Sequence, residues 1–129
     1  MRVFEYKFQD ETYTLCLNGA ALFAIYDKYG SDSSVFDPIK AMDNKGFEAV
    51  CFYLHELAKQ GEIVRRWEGR MPRKIPPQAM FAALLSPHEV NEAKQAIISA
   101  LELGFAREHD DREKIDLGLE ELRKKVAAD

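Results

Sequence analysis

Apolar and polar residues alternate near the start of the chain. Glu5 and Lys7 separate Phe4, Tyr6 and Phe8, and Thr14 and Cys16 separate Tyr13, Leu15 and Leu17. A period of two with one apolar face predicts two half-buried strands. A turn centred on Asp10-Glu11 would pair Phe8 with Tyr13, Tyr6 with Leu15 and Phe4 with Leu17. All six side chains then share one face, and a slip of one residue would send half of them to the other. Asp-Glu lacks the glycine that tight hairpin turns favour. Two strands alone are marginally stable, so the aromatic face must pack on helices.

After Leu17 the period lengthens to that of a helix. Asn18 is placed to cap a helix running to Tyr29, with Leu22, Ile25, Tyr26 and Tyr29 as its inner stripe and Gly30 as its stop. Residues 31–36 read as a loop. Asp37-Pro38 sets a capping carboxylate before a first-turn proline, which predicts a short helix over Pro38–Met42. Phe47, Val50, Cys51, Leu54, Leu57 and Ala58 keep helical spacing, and Gly61 is the expected end of that helix. Residues 62–75 then read as an irregular connector. Pro76-Pro77 opens a helix of about nine residues ending near Leu85. Ser86-Pro87-His88-Glu89 is a capping box. The helix after it carries Val90, Ala93, Ile97, Ala100 and Leu101 inward and stops near Gly104. A last helix over about residues 111–127 presents Ile115, Leu119, Leu122 and Val126 in a heptad-like row.

The expected fold class is therefore α+β, mainly α: an N-terminal β-hairpin packed on a bundle of about five to six helices. Residues 1–106 form the hairpin and helical core, and residues 107–129 a charged C-terminal helix. An isolated helix of that length is marginal in water. Its four-residue row is expected to join a protein–protein contact, including self-association.

Composition narrows the picture. The chain has 129 residues, 47% hydrophobic and 31% charged, the balance of one soluble domain. Eight Phe, five Tyr and one Trp are too many for a disordered chain. Two cysteines make no disulfide framework, which suits a reducing compartment. The charged start, MRVFEYKFQD, has no apolar core of a signal peptide. No stretch approaches the roughly 18 apolar residues of a membrane helix. The expected location is the cytoplasm.

Candidate chemistry is sparse. His55-Glu56 opens like the helical zinc motif HExxH, but Lys59 stands where the second histidine must be. Cys16 and Cys51 have no histidine at ligand spacing and read as small buried hydrophobes. No phosphate loop, dinucleotide fingerprint or nucleophile elbow is present. The expectation is a non-enzymatic protein with no catalytic residue, cofactor or metal. The connector holds Arg65, Arg66, Arg70, Arg73 and Lys74, and with Trp67 it is the one segment suited to nucleic acid. The net charge of −4 opposes such binding, and so do Glu89 and Glu92 at the start of the only helix placed to read DNA. Arg65, Arg66 and Trp67 are kept as partner-binding candidates, alongside Ile115, Leu119, Leu122 and Val126.

One resemblance goes further. The segments Phe4–Leu17 with Asn18-Gly19-Ala20-Ala21-Leu22, Lys45-Gly46-Phe47-Glu48-Ala49-Val50, and Leu85-Ser86-Pro87-His88-Glu89-Val90 leading to Gly104 resemble the tail assembly chaperones of long-tailed bacteriophages and prophages. The resemblance covers residues 2–105 and rests on packing patterns. It implies a cytoplasmic, non-enzymatic protein of the bacterial host that binds the tape measure protein and recruits tail tube subunits, sometimes in a longer frameshifted form. The alternative is a small protein-interaction or regulatory domain outside phage biology, with weak DNA binding through residues 65–74.

Overall fold

The computed structural model describes residues 2–106. Strands β1 (Phe4–Phe8) and β2 (Glu11–Leu15) pair antiparallel, with Phe4 opposite Leu15, Tyr6 opposite Tyr13 and Phe8 opposite Glu11. The turn is thus Gln9-Asp10, not Asp10-Glu11. Gln9 and Asp10 have φ of 50° and 65°, the signature of a type I′ turn, whose twist matches that of the strands. Asp tolerates this left-handed region, whereas Gln does so at some cost. Gln9 gains a compensating contact, since its side-chain amide donates to the Leu84 carbonyl at 3.2 Å. The register moves by two residues from the expected one, so the apolar residues keep their face.

Helix α1 (Gly19–Tyr29) starts and stops as expected. Asn18 Oδ1 accepts from the Ala21 amide at 2.9 Å, and Gly30 takes φ 91° just past the end. The helix expected over Pro38–Met42 is only a 3-10 turn, Pro38–Lys40. Asp37 makes no capping bond there; its carboxylate lies 3.6 Å from Lys40 Nζ.

Helix α2 (Asn44–Trp67) is the spine of the molecule and corrects the largest sequence-based expectation. It passes through Gly61 and continues for two more turns. Gly61 is needed because a Cβ there would lie 1.7 Å from the Thr14 carbonyl oxygen of β2. The glycine marks a crossing of helix and strand, not a terminus. The true stop is Gly69, at φ 82°. The Gly69 amide donates to the Arg66 carbonyl at 3.0 Å and the Arg70 amide to the Arg65 carbonyl at 3.0 Å. This pair of bonds is a Schellman motif, which satisfies carbonyls the helix leaves open.

Helix α3 (Gln78–Leu84) follows Pro77. Helix α4 (Pro87–Phe105) carries the expected capping box, with Ser86 Oγ accepting from the Glu89 amide and Glu89 accepting from the Ser86 amide at 3.0 Å. Ala93, Ala96, Ile97, Ala100 and Leu101 are buried, and Val90 is partly so. The described residues thus form an antiparallel hairpin against a bundle of four α-helices.

The hairpin's aromatic face joins this bundle through Phe81 of α3. The Phe81 ring stands edge-on to Tyr13 at 5.6 Å and tilted to Phe8 at 6.2 Å. Such pairs add about 0.5–1.5 kcal/mol each beyond area burial. Tyr53 on α2 is fully buried, and its hydroxyl donates to the Val35 carbonyl, tying the loop after α1 to the core. No described helix is long and apolar enough to cross a membrane. Residues 107–129, with the expected row Ile115, Leu119, Leu122 and Val126, lie outside the described residues.

Candidate protein-binding surface

The last two turns of α2 place Glu62, Arg65 and Arg66 at i, i+3 and i+4, the spacing at which helical side chains meet. Glu62 is only 5% exposed and Arg65 only 7%. Arg65 Nη1 donates to Glu62 Oε1 at 2.7 Å, and Arg66 Nε to Glu62 Oε2 at 2.9 Å. The Arg73 backbone amide donates to the same Oε2 at 2.7 Å. Burial raises the Glu62 pKa, but the Arg73 amide and the two guanidinium donors outweigh it and hold the carboxyl below its ordinary value. One carboxylate thereby anchors the segment that follows Gly69 against the helix it has just left.

Arg73 carries that anchor onward to the hairpin. Its guanidinium donates to the Thr12 carbonyl of β2 at 2.9 Å and lies 3.9 Å from Glu5. The buried Thr14 hydroxyl sits 3.0 Å from both oxygens of Glu5. Arg66 closes the loop by donating to the Arg73 carbonyl at 3.0 Å. Four of the five basic residues of the expected connector are therefore engaged within the molecule, Arg65, Arg66 and Arg73 in this network and Arg70 in an exposed pair. Arg70 lies 3.4 Å from Glu68. The charge that suggested a nucleic-acid footprint is largely spent on holding residues 69–77 in place.

Anchored in this way, the segment forms one wall of an open groove of about 550 Å³. Glu11 and Tyr13 of β2 and Met80 of α3 also line it. Pro72, Pro76 and Pro77 give the first wall a rigid apolar surface. Arg73 and Lys74 give it positive charge. Tyr13 lines the groove and also packs against Phe81 of the core, so the groove borders the packed interior. A second hollow, of about 410 Å³, lies between Lys28, Tyr29, Ser33, Asp37, Lys45 and Glu48. Its charges are mixed, and Lys28 already sits over the Phe52 ring at 5.3 Å.

Several large apolar side chains are exposed. Trp67 is 89% exposed at the end of α2, with Ile63 one turn earlier and Met71 just past Gly69 also in solvent. An exposed tryptophan anchors interfaces because it covers much area for little lost rotamer freedom. The sequence-based candidates thus divide. Trp67 is available at the surface, Arg65 is buried and internally paired, and Arg66 is held by Glu62. Sequence reading missed Tyr13, Met80 and the three prolines as one surface, because only the chain reversal at Gly69 brings them together.

The remaining titratable groups do not converge. His55 Nδ1 lies 3.1 Å from the Pro76 carbonyl, and Lys59 pairs with Glu56 at 3.0 Å. Cys16 and Cys51 are buried free thiols whose pKa values are pushed up by burial, Cys51 to about 11. Among the described residues no group of three His, Cys, Asp or Glu side chains is placed to hold a metal ion. Comparison with protein-family models, with curated proteins and with solved structures found no match to this chain.

Proposed function

We propose that this chain is a non-enzymatic adaptor that binds a helical protein segment, and that it serves as a tail assembly chaperone of a long-tailed phage or prophage. The observation that carries the adaptor reading is the groove between β2 and residues 72–77, apolar along its prolines, Tyr13 and Met80, with Lys74 and the internally held Arg73 as its basic groups and Glu11 as its one carboxylate. Such a groove suits an amphipathic helix with acidic flanks, whose apolar face supplies affinity and whose carboxylates set orientation. Trp67 and Met71 extend the apolar surface available to a partner. The chaperone reading rests on the resemblance of the hairpin, the Asn18-capped helix and the Ser86-capped helix to that family. In this role the partners are the tape measure protein, a long helical chain that must stay soluble before assembly, and the tail tube subunit.

The test is coexpression with the tape measure protein encoded nearest to this gene. A soluble complex is expected, together with a gene position between a major tail protein and a long tape measure gene. Met80→Asp should weaken the complex without lowering the melting temperature by more than a few degrees. A gene outside any tail cluster and no complex in coexpression would remove the chaperone reading. A complex indifferent to Met80→Asp would remove the groove.

A further inference from the structure

The two edges of the hairpin are treated differently. In this register Glu5 and Lys7 on β1 stand opposite Thr14 and Thr12 on β2. With a two-residue turn, these are the pairs whose amides and carbonyls point away from the hairpin. The β2 edge is covered: the Cys16 amide donates to the Leu57 carbonyl at 3.1 Å, the Thr14 carbonyl lies against Gly61 of α2, and the Thr12 carbonyl accepts from Arg73 at 2.9 Å. On β1 the outward backbone groups of Glu5 and Lys7 have no backbone or side-chain partner among the described residues. Both side chains are exposed. An open edge of this kind is a template for another strand.

We propose that β1 is a self-association surface: a second copy of this chain adds its own β1 antiparallel, making a continuous four-stranded sheet. The occupant follows from the charges. Antiparallel pairing centred on Tyr6 is two-fold symmetric, as a closed dimer of identical chains requires. It sets Glu5, whose carboxylate already lies against Thr14 and 3.9 Å from Arg73, opposite Lys7 of the second copy, and Lys7 opposite Glu5, so each exposed Lys7 meets a carboxylate. These are also the residues whose amides and carbonyls point outward, so charge register and hydrogen-bond register coincide. Shifting the centre to Glu5 or to Lys7 would place like charges face to face, which is unfavourable. Phe4, only partly buried in the single chain, then lies opposite Phe8 of the second copy. The surface is separate from the groove, so the pairing leaves the groove on each copy open.

Sedimentation or light scattering across a wide concentration range tests this on the full chain. Wild type is expected to show a concentration-dependent dimer. Lys7→Glu sets like charges opposite each other twice, and should weaken the dimer about tenfold to a hundredfold. Lys7→Pro removes an outward amide without touching the β1–β2 ladder, and should abolish it. Glu5→Lys alone should also be monomeric, and an equimolar mixture of E5K and K7E chains should pair again. Melting curves of each variant report that the fold is intact; if E5K misfolds, the two Lys7 variants still decide. A wild-type chain that stays monomeric at every concentration overturns the proposal. So does a dimer that both Lys7 variants leave unchanged, because its contact would lie elsewhere on the chain.

Discussion

Gly61 in the middle of α2 and Thr14 in β2 touch backbone to backbone. An added Cβ on Gly61 would lie 1.7 Å from the Thr14 carbonyl oxygen. This contact lets the hairpin edge sit directly on the helix, and it brings Cys16 within hydrogen-bonding distance of the Leu57 carbonyl. A glycine inside a helix gives up roughly 1 kcal/mol relative to alanine. Here that loss is offset by the close crossing it permits.

Gly61→Ala should therefore destabilise the protein despite alanine's better helix propensity. Relieving the overlap means moving strand backbone, not rotating a side chain, so a loss of about 3 kcal/mol or more is expected. Denaturant unfolding measures it. Equal or greater stability of the variant would show that the helix and strand are not in contact at this point.

Glu62→Gln should lower stability by about 3 kcal/mol at neutral pH, since it leaves Arg65 buried without its counter-charge. The pH dependence has a definite sign. The Glu62 carboxyl is held below its ordinary value of 4.5 in the folded chain. Its contribution is complete above about that pH and is lost as pH falls through the lower folded-state value. The stability gap between wild type and variant should shrink on acidification below about pH 4.5 and stay constant from there to neutrality. A gap that widens on acidification would contradict this assignment.

Cys16 and Cys51 should resist thiol reagents in the native protein. Both are buried, and burial pushes both thiol pKa values up, that of Cys51 to about 11. Labelling should follow the rate at which the fold opens, and two thiols should react at once in denaturant. Fast native labelling of either residue would place it at the surface.

DNA binding should be weak and shallow in salt. With Arg65, Arg66 and Arg73 engaged by Glu62, Thr12 and one another, Lys74 and Arg70, which is held only by an exposed pair with Glu68, remain to meet phosphates in this segment. A log–log salt slope of about −2 follows from two contacts. A slope several times steeper would show that the internal network opens on nucleic acid.

Local signals carried much of this architecture. The alternation Phe4–Leu17 fixes two strands and their buried face, because side chains in a strand change sides at every residue whatever surrounds them. Asn18 with Gly30, and Ser86 with Glu89, mark helix ends by bonds made within a few residues. Those assignments needed no tertiary partner.

What the chain alone left undecided are the features whose cause lies far away in sequence. Gly61 and Gly69 are both glycines after a helical stretch. Gly61 is enclosed by Thr14, while Gly69 is free to adopt positive φ and turn the chain. The spacing of Glu62, Arg65 and Arg66 is a helical pattern readable beyond Gly61, but the burial that gives it weight comes from the hairpin and from Arg73. The hairpin turn depends on Gln9 finding Leu84, a partner at the end of α3. The groove depends on the reversal after α2. Sequence determined which residues form elements and which faces they bury, because propensity, capping and periodicity act over a few residues. Tertiary structure decided where α2 ends, which charges are spent internally and which edge stays open, because close approach and burial exist only once distant segments meet.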